Sequence, residues 1–567
     1  MMTRLLQRLR EHAPWVGLAL GLLLGVVLGA TYFPSAGHDD SHITYWASHA
    51  LARFGSIVNY NGQRIEQSSS LSLVVWLALA EKLTGAGAPL LGWITSIGCA
   101  ALALGVVTAL ARGVSPRLSP LAAPLLATSM CFLYWSTSGM ETSMTALLGV
   151  LAVLVITRYV EADPPAARTR GQALRALAPV VLVSAGLAGA RPESPVILLG
   201  LAATAATYSF LLRALEKTGE ARRRFFRSLH IFGASVVSVA ALVIYRKVVF
   251  GSAVPNPAAM KSGGFDLEHG FRYARAGFEG TNSAYVPLLC VALVMVAWGV
   301  VKRRLPMSVV LTAALAFAST AFVLMSGGDW MTGARFLVPA MPAYVVLVLF
   351  VIDRAARDRA AAGFLFGATL LWLNLSAVID YGRSPSNMSH RWTEATKHAR
   401  AARDKPGMAD LSFPELANRP HRRDAKLLPV LLETLEKLGP TRERPLSFVS
   451  GQAGMVPYHV MQRYHGAMHF LDLYNLSSKE LAGCVPPRAQ RRLVHGVYIE
   501  LKYVIEHGKE LEQRCNLTPP VIIFDAGRPP AWLGKHGYRV IHDDHEDLPA
   551  YIAVHTSVAE RLQNEGR

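Results

Sequence analysis

The chain has 567 residues, of which 52% are hydrophobic and only 17% charged, against about 25% charged in typical soluble domains. This composition excludes intrinsic disorder and argues against an ordinary soluble enzyme. Lys and Arg outnumber Asp and Glu by 57 to 39, which gives a formal charge of +18. The cytoplasmic loops of a membrane protein explain such an excess without a nucleic-acid partner.

Eleven apolar runs are long enough, or nearly so, to cross about 30 Å of hydrocarbon. The first follows Arg4, Arg8 and Arg10. It is interpreted as an anchor, because it is long for a signal peptide and has no convincing small-residue cleavage site. The predicted spans are 15–33, 89–111, 118–138, 141–158, 178–190, 194–213, 228–250, 285–301, 306–325, 337–352 and 361–380.

Basic residues predict the orientation of these spans. Clusters such as Arg222–Arg224 and Lys302–Arg304 lie between alternate spans, so the positive-inside rule makes them and the N-terminus cytoplasmic. We therefore expect a multi-pass protein of a bacterial inner membrane, with residues 34–88 as its first outer loop. Within that loop, 71–83 is apolar but short, and it is predicted to be a re-entrant or interfacial helix.

The C-terminal part has a different composition. Residues 1–384 are predicted to form a transmembrane catalytic domain, and 385–567 a periplasmic mixed α/β domain that binds the acceptor or shapes the cleft. Stretches 446–450, 496–505 and 520–524 are predicted strands. Cys484 and Cys515 both fall in this domain, where a disulfide and two buried thiols fit equally well. The sequence has no CxxC motif, so it gives no indication of a structural zinc site.

Two adjacent acids, Asp39 and Asp40, follow the first span. They suit a general base and a helper, since neighbouring helix positions point about 100° apart and cannot share one task. The alternatives are an ordinary helix N-cap and a metal site built from His38, Asp39 and His42. A requirement for a divalent cation therefore stays open, and no metal ligand is assigned.

Seven further charged residues lie in or beside the predicted outer segments. Any one of these residues taken alone could be explained by helix capping, by snorkelling of a long side chain to the bilayer surface or by a local ion pair. Together they place several acids and three cations beside a large outer domain, which favours a site where an anionic lipid substrate meets a polar acceptor. The residues are Glu66, Glu141, Arg191, Glu193, Lys261, Asp329 and Arg335.

An ordered set of motifs runs through residues 35–350. After Asp39-Asp40 come NYNGQRIEQSSS, SGMET, ARPES, VPNPAAMK and GGDWMTGARFLVP. In this order the chain resembles the GT-C superfamily of polyprenyl-phosphate-sugar glycosyltransferases. It looks most like the branch that contains the terminal β-(1→2)-arabinofuranosyltransferases. The C-terminal part is similar through LSFVSGQAGMVPYHV and FLDLYNLSSKELAG.

The resemblance implies a polytopic α-helical GT-C fold, a polyprenyl-phosphate-linked sugar donor and an envelope glycan acceptor. It makes Asp39 the base on the acceptor hydroxyl, with Asp40 as helper. A leaving phosphate needs positive charge, for which Arg191, Lys261 and Arg335 are candidates. Carboxylates such as Glu141 would stabilise the oxocarbenium-like centre, and Glu66, Glu193 and Asp329 would complete the donor site.

Two other classes fit the same sequence. A transporter would also combine many spans with intramembrane polar residues. It predicts polar residues at the bilayer midplane and inverted repeats, whereas here the polar residues gather at one edge and no repeat is visible. A non-catalytic envelope protein on the same fold would tolerate loss of Asp39.

Overall fold

The computed structural model describes residues 2–33, 38–162, 170–216, 218–261, 265–303, 305–329, 331, 333–357, 359–383, 413–493, 496–544 and 549–564. By contacts these residues form two compact units. Unit one contains residues 1–35, 93–244 and 265–416, and unit two contains 36–92, 245–264 and 417–567. The predicted boundary at 384–385 lies where the chain is not described.

Helices dominate the described chain up to residue 383. Their bounds are α1 (Met2–Tyr32), α2 (Ser41–Phe54), α3 (Leu71–Thr84), α4 (Ala88–Val114), α5 (Ala122–Ala127), α6 (Met130–Ser136), α7 (Thr142–Glu161), α8 (Arg170–Ala188), α9 (Ser194–Glu216), α10 (Gly219–Phe250), α11 (Asn256–Lys261), α12 (Leu267–Thr281), α13 (Tyr285–Val301), α14 (Met307–Ser326), α15 (Met341–Ala356) and α16 (Ala360–Arg383).

Eight of the eleven predicted spans correspond to a helix that is long and apolar enough to cross a membrane. The other three are shorter or broken. The run 118–138 is divided between α5 and α6, the apolar part of α8 covers only Arg175–Ala188, and α13 follows α12 at a bend of 109°. The described residues therefore hold eight candidate spans, or up to nine if the bent pair counts as one.

Close backbone packing in unit one depends on glycine. A Cβ added at Gly17 of α1 would lie 2.0 Å from the main-chain oxygen of Pro120, so α1 can approach this segment only where a side chain is missing. Many apolar side chains on these helices, such as Leu23 and Val26, stay exposed. Such surfaces suit contact with lipid.

Unit two is built on a five-stranded sheet with the order β2-β1-β5-β7-β6. The strands are β1 (Leu446–Ser450), β2 (Met468–Leu471), β5 (Ile522–Ala526), β6 (Tyr538–Asp544) and β7 (Ala550–His555), and β3 (Gln490–Leu493) pairs with β4 (Gly496–Ile499) in a separate ribbon. Strands β1, β2 and β5 are parallel, while β7 runs antiparallel to β5 and β6. Val449, Ile523 and Ala553 belong to the buried core.

The described residues from 413 onward also form helices. They are α17 (Phe413–Leu438), α18 (Met455–Tyr464), α19 (Glu480–Cys484), α20 (Leu501–Glu506), α21 (Gly508–Cys515), α22 (Trp532–Lys535) and α23 (Thr556–Asn564). The strand predicted for 496–505 is wrong beyond Ile499, because α20 begins at Leu501. Leu501 and Val504 are both buried, and this three-residue spacing is that of a helix.

A disulfide joins Cys484, at the end of α19, to Cys515, at the end of α21, with 6.1 Å between their Cα atoms. Of the two arrangements that the sequence left open, the structure has the bonded one. Cys99, Cys131 and Cys290 are free thiols.

Candidate functional site

Five of the predicted site residues come together in unit one and form what we call the arginine–carboxylate cluster: Glu141, Arg191, Glu193, Asp329 and Arg335. Arg191 donates from Nη1 to Glu141 Oε1 at 2.7 Å and from Nε to Glu193 Oε1 at 2.5 Å. Arg335 pairs with Asp329, with Nη2 2.5 Å from Oδ2. All five side chains are buried, so these are ion pairs in a region of low dielectric constant.

Aromatic rings support both guanidinium groups of this cluster. The Cζ atoms of Arg191 and Arg335 lie 4.6 Å and 5.3 Å from the centroid of the Phe336 ring. Trp135 provides a second ring, 5.8 Å from Arg335 Cζ, and its Nε1 donates to the carbonyl of Gly333 at 2.8 Å. Stacking on aromatic rings orients arginine without using its N–H donors.

The cluster contains two arginines and three carboxylates. Its cations are therefore already paired inside the protein. Since a guanidinium carries five N–H donors, and the carboxylate contacts of Arg191 use Nε and Nη1, the arrangement still suits contact with a phosphate. Trp330, in the same loop as Asp329, lies outside the described residues.

In unit two, Asp39 lies against the start of α18. The backbone N–H groups of Met455 and Gly454 donate to Asp39 Oδ1 at 2.7 Å and to Oδ2 at 3.1 Å. A Cβ added at Gly454 would lie 1.9 Å from the main-chain oxygen of Asp39. Only glycine allows this approach, so the sequence of the strand-to-helix connection fixes the position of the carboxylate.

Three further aspartates and an arginine complete what we call the aspartate cluster: Asp39, Asp40, Arg423, Asp424 and Asp525. Arg423 Nε donates to Asp424 Oδ1 at 2.8 Å, and Asp424 is fully buried. Burial, then Asp424, then Asp40 hold the pKa of Asp39 well above its usual range, against the Met455 N–H group and Arg423. Burial likewise raises the pKa of Asp424, with Asp525 adding to the effect.

The aspartate cluster lies at the carboxyl end of the parallel strands. Asp525 is in the last part of β5, and a Cβ on Gly451, just after β1, would lie 2.2 Å from Asp525 Oδ1. Gly454, which holds Asp39, follows the same strand. The carboxyl edge of parallel strands is where open α/β sheets usually bind ligands.

Asp40 and His42 lie close to Asp39 in the chain but have different surroundings. Asp40 is the N-cap of α2, but its side chain does not cap the helix. His42 packs between His421 and His459, with ring centroids 5.7 Å and 5.8 Å away. Burial and these two histidines lower the pKa of His42 to about 3, so His42 is neutral at physiological pH.

Within the described ranges, no three His, Cys, Asp or Glu side chains are arranged to hold a metal ion. His38 is buried, and its carbonyl lies 3.1 Å from His42 Nδ1. Asp39 directs both carboxylate oxygens at backbone N–H groups. In the alternative metal site of His38, Asp39 and His42, both carboxylate oxygens of Asp39 are therefore already hydrogen-bonded within the protein.

Glu66 and Lys261, both assigned to the donor site by resemblance, lie in unit two. Arg246 of α10 forms a bidentate ion pair with Glu66. Its Nε donates to Glu66 Oε2 at 2.8 Å and its Nη2 to Oε1 at 2.9 Å, and both side chains are buried. Lys261 is the last residue of α11 and is partly exposed. It forms no ion pair with any described residue.

The loop motif NYNGQRIEQSSS holds unit two together through side-chain contacts to backbone. Asn59 donates to the carbonyl of Ser477 at 3.0 Å, and Tyr60 donates its hydroxyl to the carbonyl of Gly454 at 3.2 Å. Asn61 accepts from Phe470 N at 2.9 Å and donates to Phe470 O at 3.0 Å. This motif therefore positions the segment that carries Asp39 relative to β2 and α18.

Several residues of these clusters carry no signal in the sequence alone. Arg246, Arg423 and Asp424 lie far from their partners along the chain, and Phe336 is one apolar residue among many. The GQAG sequence before α18 was the one available indication, since glycines between a strand and a helix permit close approach of an anion.

Solved structures of similar fold were found at low sequence identity. ArnT from Cupriavidus metallidurans superposes with a TM-score of 0.51 in the apo state (14% identity, 94% of this chain and 98% of that one). Its complex with undecaprenyl phosphate gives 0.52 (12% identity, 95% and 97%). The archaeal oligosaccharyltransferase AglB from Archaeoglobus fulgidus, with an inhibitory peptide and a dolichol-phosphate, gives 0.51 (12% identity, 91% and 70%).

No protein-family model matches the sequence, and no curated protein matches it significantly. At this identity the structural similarity defines the fold. The chain is a polytopic α-helical membrane protein of the GT-C type with a C-terminal mixed α/β domain.

Proposed function

We propose that this protein is a membrane glycosyltransferase that moves a sugar from a polyprenyl-phosphate carrier to a cell-envelope glycan. The observation that carries the proposal is the setting of Asp39. It is a buried carboxylate held by two backbone N–H groups at the carboxyl edge of the parallel strands β1 and β5, where open α/β sheets usually bind ligands, and its pKa is raised by burial and by Asp424. Perturbed carboxyl groups of this kind are typical of general bases.

In the proposed reaction, Asp39 takes the proton of an acceptor hydroxyl. The hydroxyl oxygen bonds to the anomeric carbon of the donor, and the bond from that carbon to the phosphate oxygen breaks. The lipid phosphate leaves with both bonding electrons and needs positive charge more than a proton. Asp40 is proposed to bind the acceptor beside the base.

The arginine–carboxylate cluster is proposed to bind the donor. Arg191 and Arg335 would contact the phosphate, and Glu141, Glu193 and Asp329 would keep the arginines oriented. Lys261, in unit two, stays a predicted phosphate-binding cation. Binding of undecaprenyl phosphate by ArnT and of a dolichol-phosphate by AglB supports a lipid-phosphate donor here. Glu66 is proposed to act indirectly, because its ion pair with Arg246 anchors the loop that follows Asp39.

The proposed donor sugar is inferred from the order of the sequence motifs. A pentofuranose such as arabinose is favoured as the donor sugar, because the ordered motifs look most like the arabinofuranosyltransferase branch. The reaction is proposed to take place on the periplasmic side of the bacterial inner membrane, with the N-terminus cytoplasmic and residues 385–567 periplasmic.

The experiment that tests this proposal is sugar transfer from synthetic polyprenyl-phosphate pentoses and hexoses to envelope glycans, by the purified full chain with and without a chelator. We expect transfer from at least one donor, and a loss of about 100-fold or more in Asp39→Asn, the size of a general-base contribution. Asp353→Asn, in α15 of unit one, is the matched control and should keep full activity. The chelator arm reports any need for a divalent cation.

No transfer from any donor, by folded protein that still binds polyprenyl phosphate, would contradict the proposal and favour a transporter or a non-catalytic envelope protein. Full activity of Asp39→Asn would leave the transferase class intact and remove Asp39 from its role.

A further inference from the structure

We propose that unit two contains a second carbohydrate-binding pocket, separate from the aspartate cluster, that holds an uncharged sugar unit of the acceptor chain. The pocket has a volume of about 300 Å³ and lies among Tyr60, Asn61, His465, His469, Asn516 and Thr518. This volume is at the lower end of the range for small-molecule sites, about 300–1,000 Å³. The identity of the ligand as acceptor glycan rests on the proposed function.

The position of the pocket distinguishes it from the proposed reaction centre. Tyr60, Asn61 and Gly62 line it from the loop after α2, and the Tyr60 hydroxyl extends from there to the carbonyl of Gly454. Met468 and His469 line it from the start of β2. The rest of the lining comes from residues just before three parallel strands: Pro445 before β1, His465 and Gly466 before β2, and Asn516 and Thr518 ahead of β5. It therefore lies at the amino edge of the sheet, while Asp39 and Asp525 lie at the carboxyl edge. A five-residue strand such as β1 separates the two edges by roughly 17 Å.

The chemistry of the lining indicates an uncharged polar ligand. None of the residues that line the pocket is Lys, Arg, Asp or Glu. Two amides, two imidazoles and a hydroxyl supply hydrogen-bond donors and acceptors, and Tyr60, Pro445 and Met468 supply apolar surface. A sugar ring presents hydroxyl groups at its edge and C–H groups on its faces, so it matches both kinds of surface without needing a charge.

Parts of the pocket are held rigid by contacts outside it. Asn61 is fixed by its two hydrogen bonds to the backbone of Phe470. His469 lies 3.2 Å from Glu480, measured from Nε2 to Oε2, and the ring of His465 stacks on Phe54 with centroids 4.7 Å apart. A preformed pocket loses less free energy in ordering its side chains when it binds.

Asn516 and Thr518 are the residues whose side chains can be changed without disturbing this framework. Both are exposed. Asn516 has φ of 54° at the end of α21, a backbone conformation that glycine adopts readily. Asn516→Gly therefore removes the amide and keeps the turn, and Thr518→Val removes the hydroxyl at similar volume.

The test measures binding of short and long uncharged oligosaccharides of pentoses and hexoses to the full chain in detergent, by calorimetry or saturation-transfer NMR. We expect the double variant Asn516→Gly, Thr518→Val to bind a long oligosaccharide at least about tenfold more weakly than wild type. In the transfer assay, KM for a long acceptor should rise by a similar factor while kcat and the rate with a short acceptor stay unchanged. Gln513→Ala, exposed on the same helix α21 and outside the pocket, is the control.

Two outcomes overturn the inference: no binding of any uncharged oligosaccharide by wild type, or equal binding by wild type and the double variant. Binding that is retained in Asp39→Asn and lost in the double variant supports the pocket even where no transfer is detected. In that case the proposed reaction fails and the glycan pocket stands, so the two failures are distinguishable.

Discussion

The two units handle buried charge in opposite ways. In unit one, the arginine–carboxylate cluster pairs side chain with side chain, and the guanidinium groups of Arg191 and Arg335 lie on the Phe336 ring. In unit two, Asp39 accepts hydrogen bonds from two backbone N–H groups and has Asp424 and Asp40 as like-charged neighbours. Paired charges are inert until a ligand competes for them, whereas burial and like-charged neighbours raise the pKa of a carboxyl group and make its ionised form a stronger base. Under the proposed function, unit one would bind the donor and unit two would carry the general base.

The largest expected effect is on the stability of unit one. Arg191→Met leaves Glu141 and Glu193 buried without their cation, and removing one partner of a buried ion pair costs about 3–5 kcal/mol. We expect a marked fall in the melting temperature of the protein in detergent. Arg213→Met is the control, since Arg213 stacks on Phe225 at 5.0 Å without a carboxylate partner in the described part of the chain. An unchanged melting temperature in Arg191→Met would show that the pairing does not stabilise unit one.

The next effect should be confined to unit two. The Cys484–Cys515 bond closes a loop with a sequence separation of 31, and a disulfide of this loop length contributes roughly 2–4 kcal/mol. Cys484→Ser is expected to lower protection against hydrogen exchange in β1, β5 and α21, with no change in α14 and α15. Cys290→Ser, at an exposed free thiol, controls for loss of a sulfur. Equal loss of protection in both units would contradict the prediction that the effect is confined to unit two.

A third change tests the position of Asp39 without altering its chemistry. Gly454→Ala puts a Cβ where the main-chain oxygen of Asp39 lies 1.9 Å away, so the carboxylate must move. We expect transfer to fall by about 100-fold, since a displacement of about 1 Å can have that effect, while donor binding stays intact. Gly483→Ala is the control, because a Cβ there meets no atom within 4 Å. Undiminished transfer in Gly454→Ala would remove α18 from the site.

The smallest expected effect is a shift in the pH profile. Asp39 must be ionised to act as a base, so kcat/KM should rise with pH through an apparent pKa above the usual aspartate range, chiefly because of burial. Asp424→Asn removes a neighbouring negative charge, which lowers the pKa of Asp39 and moves the acid limb to lower pH. Glu433→Gln, exposed on the same helix α17, should leave the profile in place. An acid limb that stays in place in Asp424→Asn would contradict the coupling of the two carboxyl groups.

The sequence was a good guide to the membrane helices and a partial guide to the sites. Apolar runs such as 194–213 and 306–325 predict helices because hydrocarbon leaves a backbone segment no other way to satisfy its N–H and C=O groups. The strand at 446–450 was predicted correctly, whereas 496–505 was misassigned after Ile499. The assignment failed there because both strands and helices can bury the same short apolar run.

What the sequence determined by itself was the fold class, a polytopic helical membrane protein, and the identity of its candidate acids and cations. Asp39, Glu141, Arg191 and Arg335 could be selected because charged side chains near a bilayer are costly and need a reason to be there. Composition and spacing report such local costs directly.

Only the tertiary structure decided which groups meet. Glu66 pairs with Arg246 across 180 positions, and Asp39 meets Met455 across 416. The disulfide, the aromatic support of Arg191 and Arg335, and the pocket at the amino edge of the sheet are likewise products of long-range packing. A sequence determines the chemistry of each side chain, but the distances that turn side chains into sites arise only when distant segments fold against one another.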